Sequence, residues 1–200
     1  MPLWRRRRWG YVLPLVAGVL CLAGLVVYST VHGKAEQSEP PAAAPPDLCL
    51  AIGPTTMARL VPDGVPETAS NYSTGPDAAC IYSTADGRPV GSTDYGYLRV
   101  RLLRYGRIGW DTGAERAAKA LAESCESTAT AGQFLRTRAF GDEACAAYSD
   151  VGDGGTAHGS AVVRRNADLF WVDYYTHPGT ENDAQRAVTE VVSAALTGVR

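Results

Sequence analysis

Hydrophobic positions fall into three regimes along the chain. Tyr11 to Val31 is a run of twenty-one residues without a charge; at about 1.5 Å per residue a helix of that length spans roughly 30 Å, the hydrocarbon thickness of a bilayer. Two later segments repeat apolar residues at helical spacing. Ala114, Ala117, Ala118, Leu121, Ala122 and Cys125 share their offsets with Val188, Val191, Val192, Ala195, Leu196 and Val199, which predicts two amphipathic helices. A shorter helix is predicted over Thr55 to Val61, with Met57, Leu60 and Val61 facing inward.

Elsewhere the pattern has a period of two. Ala79 to Thr84, Tyr95 to Leu103, Ala144 to Ser149, Ser160 to Arg165 and Leu169 to Thr176 are rich in aromatic and β-branched residues and bounded by Gly, Asn and Asp. These are the predicted strands. The last two form a hairpin turning at Asn166-Ala167-Asp168, while Asp86-Gly87-Arg88-Pro89 and Gly152-Asp153-Gly154-Gly155 read as loops. Thr180 followed by Asp183 has the form of a capping box for the last helix, with Glu181 and Asp183 complementing its dipole. The order α-β-β-α-β-β-β-α predicts an α+β fold, a mainly antiparallel sheet packed by amphipathic helices, preceded by one transmembrane helix.

Charge sharpens the reading of the amino-terminal run. Arg5, Arg6, Arg7, Arg8 and Lys34 are the only charged residues before Ala35, so the rest of the chain has an acidic excess of 7. Arginine stays on the cytoplasmic side of a membrane helix. Residues 1–10 are therefore expected to be a cytoplasmic basic tail, 11–31 the transmembrane helix, 32–46 a Pro/Ala-rich linker and 47–200 an extracytoplasmic domain. Trp4, Trp9, Tyr11 and Tyr28 lie at interfacial positions, and Pro14 falls in the first turn. A cleaved signal peptide is the competing reading, against which stand the length of the apolar run and the poor cleavage sequence Gly33-Lys34-Ala35. Within the linker, Pro40, Pro41, Pro45 and Pro46 favour an extended spacer. An apolar content of 46% with 20% charged residues excludes wholesale disorder, and the net charge of -2 excludes a strongly basic nucleic-acid binder.

Cys21 lies inside the apolar run, which leaves Cys49, Cys80, Cys125 and Cys145 in a compartment the topology makes oxidising. Three pairings are open. Cys49 with Cys80 and Cys125 with Cys145 is favoured because each pair joins a predicted helical segment to the next predicted strand. No Cys-x-x-Cys and no His-Glu-x-x-His occur, so neither a metal nor any other cofactor is expected. Asp142, Glu143, Asp150 and Asp153 match no calcium loop and read as solvated turn carboxylates.

For hydrolysis the sequence offers no Gly-x-Ser-x-Gly. His158-Gly159-Ser160 is taken as a coincidence of neighbours whose side chains point to opposite faces of a strand. The stronger candidate is a sheet face. On Tyr95 to Leu102, alternation sends Leu98, Val100 and Leu102 one way and Tyr95, Tyr97, Arg99 and Arg101 the other. On the last strand Phe170, Val172 and Tyr174 alternate with Trp171, Asp173 and Tyr175. If the apolar sets face helices, then Tyr97, Arg99, Arg101, Trp171, Asp173 and Tyr175 share the opposite face as a binding surface, of residue types enriched at interaction hot spots. A cross-strand pair between Arg99 and Asp173 is the plainer expectation for the charged members.

The runs PDLCLAIGPTTMARLV, ACIYST, FGDEACAAYSD and AVVRRNADLFWVDYY, with the closing amphipathic helix, resemble uncharacterised envelope-anchored, lipoprotein-like domains of actinobacteria over most of residues 47–200. The resemblance implies an α/β/α sandwich like that of the Mog1 and photosystem PsbP group, and binding rather than catalysis. Tyr82 stands where a Trp often follows the second cysteine, Cys125 and Cys145 are additional, and an apolar helix replaces the lipid attachment site. The expectation is thus a single-pass, membrane-anchored extracytoplasmic domain without enzymatic activity. It would bind an envelope protein, glycan or small ligand and no nucleic acid, with a structural accessory role or an envelope hydrolase as alternatives.

Overall fold

Eight strands form one sheet in a computed structural model that describes residues 20–29, 44–84, 94–129, 135–137, 140–151 and 155–199. In chain order the elements of the domain are α1 (Leu48–Ile52), α2 (Pro54–Leu60), β1 (Val65–Pro66), β2 (Tyr72–Thr74), β3 (Asp77–Ser83), β4 (Tyr95–Arg104), α3 (Gly113–Ala129), β5 (Leu135–Thr137), β6 (Glu143–Val151), β7 (Thr156–Arg165), β8 (Asp168–His177) and α4 (Glu181–Gly198). The sheet order is β1-β3-β4-β8-β7-β6-β5, with β2 also pairing β3, and every pairing is antiparallel. The domain is therefore α+β with an antiparallel sheet.

Alternation sets two faces with different cover. Leu98, Val100 and Leu102 of β4, Ala161 and Val163 of β7, and Phe170, Val172 and Tyr174 of β8 are buried in one cluster. Leu48 and Ile52 of α1, Met57 of α2, and Val188, Val191, Val192 and Ala195 of α4 complete it. On the other face Leu121 and Cys125 of α3 bury Cys145, Val162 and Leu169, with Trp171 and Tyr105 packed at the margin. Gly159 lies where α4 crosses β7. A Cβ there would stand 2.8 Å from Val188 Cγ2 and 3.1 Å from the Ala184 carbonyl oxygen, so only glycine permits this approach.

The capping box forms as the sequence predicts: the Thr180 hydroxyl accepts from the Asp183 amide and the Asp183 carboxylate accepts from the Thr180 amide. The β7–β8 hairpin turns through Asn166 and Ala167, with Asn166 at φ 54°, a left-handed conformation that asparagine tolerates. Helix α1 was not anticipated. Its five residues are too few to show a period; Asp47 caps it, and Gly53 at φ 93° separates it from α2, which opens on Pro54. Strands β1, β2 and β5 were also missed, being two or three residues long. Strand β7 begins at Thr156 rather than Ser160, because pairing with β6 and β8 on both sides holds a stretch containing His158 and Gly159 whose own strand preference is weak.

Residues 20–29 are helical and all exposed, including Leu20, Leu22, Leu25, Val26 and Val27. Among the described residues no helix is long and apolar enough to cross a membrane. The expected basic tail 1–10, the rest of the expected membrane segment (11–19 and 30–31), linker positions 32–43, the Asp86 to Pro89 loop and positions 152–154 lie outside the described residues.

Candidate functional site

Both expected disulfides form: Cys49–Cys80, with a Cα–Cα distance of 5.2 Å, and Cys125–Cys145, at 6.0 Å. One ties α1 to β3 and the other ties α3 to β6, so each sheet face has a helix fastened to it. Such crosslinks belong to an extracellular or otherwise oxidising compartment.

Helix α3 covers only part of its face, and beside it the six expected binding residues lie on neighbouring strands. Tyr97 is opposite Tyr175, Arg99 opposite Asp173 and Arg101 opposite Trp171 in the β4–β8 register. Arg99 is exposed and the other five are half-buried. Arg99, Arg101, Trp171 and Asp173 line a cleft of about 200 Å³. Arg101 is held in place by Asp77, which accepts from its Nε at 3.1 Å and its Nη2 at 2.6 Å, and its guanidinium lies 5.5 Å from the Trp171 ring centre. Trp171 in turn donates its indole N–H to the Ser124 hydroxyl at 3.3 Å, joining the cleft to α3.

The expected Arg99–Asp173 ion pair is absent among the described residues. Asp173 instead accepts a hydrogen bond from the Ser160 hydroxyl at 3.1 Å. Ser160 and His158 are two residues apart on β7, not adjacent, and share this face, which corrects the expectation that they diverge. His158 stacks on Tyr175 at 4.2 Å, and Tyr175 meets Tyr97 edge-on at 6.0 Å, so three rings cross three strands in a row. A second stack, Tyr95 on His177 at 5.7 Å, extends the aromatic area towards the end of the sheet.

Burial raises the pKa of Tyr97 against the opposing pull of Arg99, and raises that of Tyr175 with added help from Asp173. The same burial lowers the His158 pKa, opposed by Asp173, and the His158 Nε2 is enclosed without a hydrogen-bond partner. Ser160 donates straight to Asp173 with the imidazole outside that bond, whereas nucleophilic catalysis needs the order serine, histidine, carboxylate. The arrangement offers a ring platform beside a guanidinium, suited to holding a ligand by stacking and charge.

Of the acidic residues near the Gly-rich loop, Asp153 lies outside the described residues, and Asp142 and Asp150 stand apart. Asp142 accepts from Arg164 at 3.1 Å, while Asp150, at the opposite end of β6, accepts from the Glu181 amide at 3.3 Å. Among the described residues no group of three His, Cys, Asp or Glu is placed to hold a metal ion. Compared with protein-family models, with curated proteins and with solved structures, the chain matches none.

Proposed function

We propose that this chain is a single-pass membrane protein, cytoplasmic at its amino terminus, whose disulfide-stapled ectodomain is a non-catalytic binding module at the cell envelope. The single observation that carries the binding role is the cleft that Arg99, Arg101, Trp171 and Asp173 line on the sheet face beside α3, which aromatic rings continue. The charge balance of that cleft indicates the ligand. Asp77 neutralises Arg101 and Asp173 is engaged by Ser160, while Arg99 is exposed and lines the same cleft. A ring-bearing anion, such as an acidic sugar or a carboxylate-bearing aromatic group, fits this chemistry.

The anchor reading is supported by the uncharged run from Tyr11 to Val31 and by a described stretch, 20–29, that is helical, apolar and exposed throughout. Helices on both faces of an antiparallel sheet support the likeness to the Mog1 and PsbP group and to actinobacterial envelope-anchored domains. A structural accessory role in an envelope complex is the second reading, favoured by the same sheet face if its occupant is a protein.

The test is capture from detergent-solubilised envelopes on the immobilised full chain, with Arg99→Ala and Tyr97→Ala in parallel. Loss of the captured material with an unchanged melting temperature supports the site. Undiminished capture by both variants moves binding elsewhere.

A further inference from the structure

We infer that the loop between β4 and α3, residues 105–112, is a bilayer-contact element that seats the ectodomain on the outer leaflet through Ile108 and Trp110. The inference rests on the membrane-tether reading above. The loop exposes two large apolar side chains, Ile108 at 53% and Trp110 at 56%, with exposed Arg107 next to them. An aliphatic residue, an indole and a guanidinium within four positions are the side-chain types that settle at the boundary between acyl chains and headgroups.

The tip is rigid. Ile108 and Asp111 exchange two backbone hydrogen bonds of 3.1 Å around Gly109 at φ 59°. The base is fixed to the body of the domain: the Tyr105 amide donates to the Ala167 carbonyl at 2.9 Å, Arg116 donates to the Gly106 carbonyl at 2.7 Å, and Lys119 pairs with Asp111 at 2.6 Å. A preformed tip loses little conformational freedom on insertion.

Position in the fold identifies the bilayer as the occupant. The chain enters the domain at Ala44, whose carbonyl accepts from Arg104, and at Pro45, whose carbonyl accepts from Ser73 at 2.7 Å. Arg104 is the last residue of β4, immediately before the loop, so the tether and the apolar tip leave the same end of the sheet. Only positions 32–43 separate Ala44 from the end of the uncharged run. Twelve residues in polyproline-type extension reach about 37 Å, and any slack lets the tip approach the surface. The aromatic row of Tyr97, Tyr175 and His158 lies towards the opposite end of β4, β8 and β7, clear of the lipid.

The experiment uses the full chain with Cys21→Ser, carrying an environment-sensitive fluorophore at Ile108→Cys or, as the distal control, at Asn182→Cys in the first turn of α4. The protein is reconstituted in vesicles of phosphatidylcholine and phosphatidylglycerol. We expect the label at 108 to be blue-shifted, quenched by a doxyl lipid and shielded from iodide, while the label at 182 stays open to iodide. Equal iodide access at both positions in chains that float with the vesicles overturns the loop contact and leaves the tether standing. A label at 108 shielded from iodide yet untouched by the doxyl lipid means that protein covers the loop, which also overturns it. Failure of the chain to float removes the tether and the inference together.

Discussion

Asp173 stands directly opposite Arg99 across the β4–β8 ladder yet accepts its hydrogen bond from Ser160, at 3.1 Å on the other flanking strand. On the proposed binding role, this arrangement leaves the arginine for a ligand. Ser160→Ala removes the competing donor, so the carboxylate is expected to turn to Arg99 and weaken anion binding several-fold with little change in melting temperature. Titration of a carboxylate-bearing ring compound against both proteins by calorimetry checks this; equal affinities would show that Ser160 has no such role.

Trp171 divides its surface between the cleft and the α3 cluster, so it reports on packing as well as binding. Trp171→Ala should cost about 2 to 3 kcal/mol, below the range for a fully enclosed Trp. Arg99→Ala, at an exposed position, should stay within about 0.5 kcal/mol of the parent. Urea denaturation separates the two.

His158 makes an acid-side dependence of stability. Burial holds its pKa below the ordinary 6.5, so the unfolded chain takes up the proton first as pH falls. Its contribution is complete above about 6.5 and is lost as pH drops from there through the lowered folded value. His158→Phe keeps the stack on Tyr175, deletes the unpartnered Nε2 and should flatten the melting-temperature profile in that window, with a gain of about 1 kcal/mol. An unaltered profile would place the titration elsewhere.

Arg104 and Asp168 form a two-pronged pair, with Nε to Oδ1 at 2.7 Å and Nη2 to Oδ2 at 3.0 Å. Only 12% and 11% of the two side chains remains exposed. Arg104→Ala leaves a carboxylate enclosed, with Arg165 at 3.6 Å as partial compensation. A loss of about 3 kcal/mol is expected by chemical denaturation, and a loss under about 1 kcal/mol would mean that Arg165 takes over the pair.

The disulfides should act separately. Their sequence separations of 31 and 20 imply roughly 3 to 4 kcal/mol each by the loop-entropy argument. Replacing Cys125 and Cys145 with serine frees α3 from β6, so Trp171 emission should shift to the red at lower denaturant. Replacing Cys49 and Cys80 should loosen α1 first, leaving that emission transition intact until global unfolding.

Both sheet faces were legible in the sequence because alternation on β4 and β8 is nearly free of exceptions: Leu98, Val100, Leu102, Phe170, Val172 and Tyr174 are buried together. The cysteine pairing was legible because helix-to-strand steps are local. Strands β1, β2 and β5 were not, since two or three residues carry no period. The place of His158 and Ser160 was available from their spacing of two, a signal misread as adjacency. Their partners Tyr175 and Asp173 were not available, because register across strands depends on the whole ladder. The exposed tip at Ile108 and Trp110 could be seen as an aromatic loop, but its closeness to the chain entry at Ala44 required the fold.

Strand β3 is flanked on its outer side by the short β1 and β2, and at the far side β5 is three residues long. Pro66 in β1 has no amide hydrogen to offer a neighbour. Among the described residues the outermost strands are therefore short, although β5 pairs only Ala144 to Ala146 and leaves the rest of β6 as the longer margin on which another copy could add.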